Sequence, residues 1–327
     1  MAGSLRNLTV NKRNRNLIIE TTSGKKVLKQ YWQGWPDAVI VFEHSILKRL
    51  AELNFPAPRL CQTKDHATYI NHLGQNYSVF DYQEGNNYSS NYLLRAHRLH
   101  LMAKAGHTLA NLHRQLDGFL PEGQHHSGFK SYSEGRWRDM AWHIDKVAEL
   151  KEKSRYLVDQ EAKRHAEWLI QNIDHVIEEL SQLEETLNQT PLKRLVIHGD
   201  YGLHNLHFHR DGTVTPLDFE SARLEWQLRD LVNCLGRLRF SNGEFDLASI
   251  RNFLASYRNE YPLQHGEARL FPRIWRYCKL QDVVKYWNSF FETQGPVRKL
   301  ISARKAKNLA DLDPDRLSTI TELLENP

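Results

Sequence analysis

The chain has 327 residues, 40% of them hydrophobic and 25% charged, which supports one large or two packed domains and excludes a disordered chain. Its net charge of +5 comes from lysines and arginines spread along the sequence, which speaks against a nucleic-acid-binding module and for a mild bias toward anionic, phosphorylated ligands. No apolar run approaches the ~20 residues of a bilayer span, Met1–Arg6 lacks the apolar core of a secretory signal, and Cys61, Cys234 and Cys278 form no C-x-x-C pair, so a cytoplasmic protein without membrane contact is expected.

The first 83 residues read as strands with one helix. Leu17–Thr21 and Lys26–Tyr31 are β-rich runs joined at Ser23-Gly24, a hairpin. Phe42, Ile46, Leu47 and Leu50 then recur at helical spacing in an amphipathic helix that stops before Pro56. Tyr77–Tyr82 is a further strand, closed by Glu84-Gly85. Beyond it the chain turns helical. Leu99–Leu116 carries Ala105, Leu109 and Leu112 on one face, and a long helix over 157–187 carries the stripe Ala166, Leu169, Ile173, Val176, Leu180 and Leu183. A β-like island follows: Arg194–His198, Leu206–His209 and Val214–Phe219, with Asp211-Gly212 as a turn. The pattern predicts an α+β protein with a small antiparallel-sheet lobe over 1–84 and a larger, mainly helical lobe over 85–327.

The island carries the chemistry. Phosphoryl transfer needs a carboxylate to orient and deprotonate the attacking hydroxyl, oxygen ligands for Mg²⁺, and a cation on the phosphates. Asp200, Asn205 and Asp218 supply such oxygens. Asp200 and Asn205 share one loop and Asp218 ends the second strand of the hairpin, which puts the three on one edge.

His198-Gly199-Asp200, with Asn205 five residues after the Asp and Asp218-Phe219-Glu220 beyond, resembles the phosphotransferase family of aminoglycoside, choline and homoserine-type kinases, which have the bilobal protein-kinase-like fold. The resemblance implies an ATP- and Mg²⁺-dependent kinase acting on a small-molecule hydroxyl. By it Asp200 is the catalytic base, Asn205 and Asp218 bind magnesium, and Glu220 assists a second ion. Asp230, twelve residues after Asp218, and His198 support the loop. Lys29 on its strand and Glu43 on the following helix resemble the pair that holds the α/β-phosphates, and Asp81, Tyr82 and Gln83 resemble the adenine-binding hinge between lobes. The segment Ala105–His113 resembles the helix behind the catalytic loop, with His113 packed inside. The phosphate-covering loop departs from the pattern: Asn11–Arg15 has no glycine, so Lys12, Arg13 and Arg15 are either side-chain donors or a solvated basic turn.

His204, His207 and His209 have no cysteine or acid to complete a zinc set, and His204 is expected at the mouth of the site. Arg269, Arg273, Arg276 and Lys279 share one helical face. They read either as a solvated stripe or as an acceptor wall, with Arg273 and Arg276 contacting a carboxylate- or phosphate-bearing substrate. A nucleotide-binding scaffold without activity and a protein kinase are the alternative functions. The absence of an A-P-E segment after Asp218 weighs against the protein kinase. A monomer or homodimer is expected, and the acceptor is left open among a sugar, an amino alcohol, a hydroxy amino acid and an antibiotic.

Overall fold

A computed structural model describes residues 6–10, 14–33, 35–88, 95–123, 130–131, 136–137, 139–239, 244–264, 266–293, 295–310 and 317–325. The chain forms two compact units, Met1–Gly135 with Arg194–Pro262, and Arg136–Lys193 with Leu263–Pro327. The boundary read near residue 84 falls inside the first of them.

In the first unit the strands Arg6–Val10, Arg15–Thr21, Gly24–Gln30, Gln75–Asp81 and Leu60–Cys61 form an antiparallel sheet in that order, with Ile70–His72 also paired to Gln75–Asp81. The hairpin and the Tyr77–Tyr82 strand lie within a residue or two of their sequence-based positions. The first strand and the two short ones have too few alternating residues to be legible. Register then decides where the charges go. Asn76, Ser78 and Phe80 alternate inward, and Lys29 lies opposite Ser78 in the ladder, so Lys29 shares the covered face.

The helix Asp37–Glu52 covers that face. Its stripe Ile40, Leu47 and Leu50 is fully buried, each side chain contributing about 1.5–3 kcal/mol, and Glu43 occupies a position of the same stripe. Asn54, in the left-handed conformation, closes the helix, and the Phe55 N–H returns to the Leu50 carbonyl at 2.9 Å. Beside Glu43, His44 is buried between the Tyr31 hydroxyl at 2.9 Å and Thr68 Oγ1 at 2.8 Å. Burial, with the Lys29 charge nearby, pushes its imidazole down to about 3.

The rest of the unit packs the helix Arg95–Leu116 against Leu247–Glu260, close enough that a Cβ at Gly106 would stand 2.1 Å from the Phe253 carbonyl oxygen. Arg194–Ile197 pairs with Arg223–Trp226, a strand not anticipated from the sequence, and Leu206–Phe208 pairs with Val214–Pro216 in the expected hairpin. The second strand stops at Pro216 rather than Phe219, because Asp218 takes a left-handed conformation (φ 64°) that no strand continues through.

The second unit is helical: Met140–Arg155, Gln160–Gln189, Phe271–Glu292, Pro296–Ala310 and Ser318–Glu325. The long helix starts at Gln160, later than its apolar pattern suggests, because the Asp159 carboxylate caps it by accepting from the Ala162 N–H at 2.8 Å. Among the described residues no helix is long and apolar enough to cross a membrane. The protein is an α+β protein with small antiparallel sheets.

His44 makes stability pH-dependent. The unfolded imidazole takes a proton near about pH 6.5 and the folded one only near 3, so the unfolded chain binds more protons between these values and stability falls as pH falls. Between pH 7 and pH 5 this amounts to about 2 kcal/mol. Urea midpoints of the protein and of His44→Gln at both pH values isolate it: the variant should lose less on acidification. An equal loss in both proteins would place the acid sensitivity elsewhere.

Candidate active site

The loop that carries Asp200 is fixed from beneath by one buried carboxylate. Asp230 Oδ2 accepts the His198 N–H at 2.7 Å, and Oδ1 accepts the Gly199 N–H at 2.8 Å. His113 Nε2 donates to Oδ2 at 3.2 Å, while its Nδ1 takes the Tyr257 hydroxyl at 2.7 Å, and Gln227 donates to that hydroxyl at 2.8 Å. Burial would push the Asp230 carboxyl up, but His113 and the backbone donors hold it below its ordinary value. Gly199 turns the chain at φ 81°, where a Cβ would lie 2.0 Å from the Ser221 carbonyl oxygen. Asn233 donates to the Gly199 carbonyl at 3.0 Å.

His198 carries this order to the second aspartate. Its Nδ1 accepts the Asp200 N–H at 3.3 Å and its Nε2 donates to the Leu217 carbonyl at 2.9 Å, a pattern that only the neutral ring satisfies. Burial lowers its pKa accordingly. Leu217 in turn donates its N–H to the Asn205 carbonyl at 2.8 Å. Asp218 is thus set by its neighbour's two backbone bonds.

The two aspartates stand in opposite electrostatic situations. Asp200 is one-third exposed. Burial would raise it, but the His204 hydrogen bond and the Arg237 guanidinium hold its carboxyl well below the usual range. Arg237 Nη2 lies 2.6 Å from Oδ1, His204 Nε2 3.3 Å from Oδ2, and Asn205 Nδ2 donates to Oδ2 at 3.1 Å and to the Asp200 carbonyl at 3.0 Å. Asp218 receives no hydrogen bond among the described residues. Burial first, then the adjacent Glu220 charge, pushes its carboxyl up to about 8 against the pull of Lys29.

Lys29 Nζ lies 2.8 Å from Glu43 Oε1 and 3.6 Å from Glu220 Oε2, all three side chains buried or nearly so. Burial alone would push the ammonium down, but Glu43, with Glu220 and Asp218 farther off, outweighs it and keeps Lys29 charged. Glu43 Oε2 is buried without a partner. Asn14 ties Glu220 to the sheet, donating to its carboxylate while its own Oδ1 accepts the Trp32 N–H at 2.7 Å. These groups line a cavity of about 380 Å³ whose apolar walls include Val27, Phe80 and Leu217 and whose rim includes Asp81, Tyr82 and Gln83.

Asn205, Asp218 and Glu220 present amide and carboxylate oxygens, the donors that a hard divalent cation prefers, and the cation that pulls on the half-buried Asp218, Lys29, is itself held 2.8 Å from Glu43. Among the described residues no three His, Cys, Asp or Glu side chains converge to hold a metal by themselves, so a cation here would take further oxygens from a bound phosphate.

The chain matches the APH phosphotransferase enzyme family over residues 4–268. It belongs to that family. No curated protein matches it in sequence. Its fold is similar to that of the amicoumacin kinase hAmiN, solved with AMP-PNP, Ca²⁺ and amicoumacin, at 15% identity and a TM-score of 0.69, covering 96% of this chain and 91% of that one. A microcompartment-associated aminopropanol kinase gives 16% identity and 0.68, over 98% and 94%. A choline/ethanolamine kinase family protein from Mesorhizobium loti gives 14% and 0.62, over 99% and 93%. The fold is therefore that of the protein-kinase-like small-molecule kinases, and the chain is a phosphotransferase of that family.

Most of the residues singled out in the sequence surround this one cavity: Lys29, Glu43, Asp218, Glu220, Asn205 and His204, with Asp200 alongside. Arg273 and Arg276 belong to the second unit. There Arg276 Nε and Nη2 each lie 2.7 Å from a Glu179 oxygen, Arg269 pairs with Glu325 at 2.7 Å, and Arg273 is exposed. Lys12 and Arg13 lie outside the described residues. Three contributors escaped the sequence reading. Asn14 braces Glu220, Asn87 donates to the Leu203 and His204 carbonyls at 3.1 and 2.6 Å, and Arg237 grips Asp200. None left a local signal: Arg237, for one, lies in the turn just past the helix Leu228–Leu235 that carries Asp230.

Asp230→Ala should strand two buried N–H groups and His113, costing about 3–5 kcal/mol in urea unfolding. A loss below about 1 kcal/mol would mean that the loop is held by something else.

Proposed function

We propose that the chain is an ATP- and Mg²⁺-dependent kinase that transfers the γ-phosphoryl group to a hydroxyl of a small molecule, with Asp200 as the base. The observation that carries this reading is the unlike pair on one edge, a charged and accessible Asp200 gripped by Arg237 against a half-buried Asp218 whose nearby cation, Lys29, is shared with Glu43 and Glu220. The nucleotides bound in related structures, AMP-PNP in the amicoumacin kinase and ADP in a spectinomycin phosphotransferase, support assigning ATP to the cavity.

In this mechanism the adenine lies between Val27 and Leu217 and meets the backbone at Asp81–Gln83, and Lys29, oriented by Glu43, holds the α/β-phosphates. Asn205 and Asp218, with Glu220 toward a second ion, would hold Mg²⁺, which neutralises charge on the β- and γ-phosphates when bound. The acceptor hydroxyl bonds to Asp200. Its oxygen attacks the γ-phosphorus, the bond to the β–γ bridging oxygen breaks, ADP leaves, and the hydroxyl proton passes to Asp200. His204 and Arg237 keep that carboxylate ionised and aimed. Residues 1–84 serve as the nucleotide-binding lobe and 85–327 as the catalytic and acceptor lobe of a cytoplasmic enzyme. A sugar, an amino alcohol, a hydroxy amino acid or an antibiotic each offers the required hydroxyl.

Two variants separate the aspartates. Asp200→Asn should keep the melting-temperature rise given by millimolar Mg·ATP while turnover falls by about 10²–10⁴-fold. Asp218→Ala should lose both the rise and the turnover. Near-normal turnover in Asp200→Asn, or an unchanged Mg·ATP shift in Asp218→Ala, would refute the assignment.

A further inference from the structure

Resting on the kinase reading above, we infer that Arg237 is the acceptor's recognition residue and that the acceptor carries a carboxylate or phosphate a few bonds from its reacting hydroxyl. The arrangement at the mouth of the site supports this. One terminal nitrogen of Arg237 lies 2.6 Å from Asp200 Oδ1, and the other lies 3.4 and 3.2 Å from the two ring nitrogens of His204. A guanidinium has five N–H donors, and these contacts occupy one edge of it. The remaining donors meet no partner among the described residues, and the side chain is 47% exposed. Gly202 keeps the space clear: a Cβ there would lie 3.0 Å from both Arg237 Nη1 and the His204 ring.

An arginine needed only to keep Asp200 charged would have no use for spare donors. Here both terminal nitrogens engage Asp200 and His204, and the remaining N–H donors of a half-exposed guanidinium are left over beside the very carboxylate that receives the acceptor hydroxyl. An acceptor whose hydroxyl reaches Asp200 therefore brings its neighbouring atoms against Arg237. A carboxylate or phosphate at that point forms a charge-assisted, two-pronged contact, whereas an ammonium meets a like charge. The anion and the hydroxyl are thereby read together, so Arg237 sets specificity and orientation for the same transfer. Its recognition energy is drawn from a group on the first unit, independent of Arg269, Arg273 and Arg276.

The test uses the full chain with Mg·ATP and matched pairs of probes: glycerate against glyceramide, gluconate against gluconamide, and glycerol phosphate against glycerol, with ethanolamine as a cationic probe. The wild-type protein should favour the anionic member of at least one pair by about 10- to 100-fold in kcat/KM, the range of a hydrogen bond to a charged group. Arg237→Gln should bring that ratio near unity, chiefly by raising the KM of the anionic acceptor, with the KM of ATP unchanged, and Arg237→Lys should restore part of it. Wild-type protein that phosphorylates the neutral probes or ethanolamine as well as the anions overturns the inference, as does an Arg237→Gln variant that slows anionic and neutral acceptors alike. Transfer to none of the anions overturns it too. The Mg·ATP melting shift then shows whether the kinase reading stands or falls with it.

Discussion

The site depends on a carboxylate that takes no part in it. Asp230 is wholly buried, and the two backbone N–H groups that it accepts belong to the residues immediately before Asp200. A buried carboxylate pays a large desolvation cost unless its lone pairs are filled, and here His198, Gly199 and His113 fill them. The cost of moving any one of them is therefore high, which gives an irregular loop the rigidity of a core element. From that anchor the order spreads outward through the His198 ring to the Leu217 carbonyl, and through Leu217 to Asn205 and Asp218. Two loops from separate strands are thereby held as one body.

The same rigidity permits an uneven charge distribution. Asp200, at the rim, is surrounded by donors, while Asp218, deeper in, faces Glu220 and Glu43 with only Lys29 in opposition. In a low-dielectric interior such an imbalance is unfavourable, and a flexible loop would relax it by turning a carboxylate toward water. The left-handed backbone at Asp218 and the buried Lys29–Glu43 pair prevent that relaxation. Unfavourable charge of this kind, held in place, is the usual signature of a site whose missing partner is a ligand.

Much of this was legible in the sequence because it lies in spacing. Asp200, Asn205, Asp218 and Asp230 stand at the intervals of the family pattern, and Lys29 and Glu43 are legible through their resemblance to its strand lysine and helix glutamate. The hairpin and the main helices were legible for the same reason, as periodicity. What escaped depends on contacts between distant positions. Arg223–Trp226 is a strand because Arg194–Ile197 lies beside it, and four residues show too little alternation alone. Asn14 and Arg237 matter through partners 206 and 37 residues away, and no local pattern marks either pairing. The arginine face at 269–279 shows the converse: its spacing was real, but Arg276 and Arg269 spend their charge on Glu179 and Glu325.

The proposed cation site is the claim on which the mechanism rests, and electron paramagnetic resonance of Mn²⁺, a spectroscopic substitute for Mg²⁺, reads it directly. Asn205, Asp218 and Glu220 do not complete an octahedral shell, so phosphate oxygens must supply the remainder. Titrated into the protein alone, Mn²⁺ should stay largely free. With a non-hydrolysable ATP analogue it should become bound in a ternary complex, with a spectrum distinct from that of the Mn²⁺–nucleotide complex in water. Tight Mn²⁺ binding without nucleotide, or a spectrum unchanged by adding the protein to Mn²⁺ and the analogue, would contradict the account.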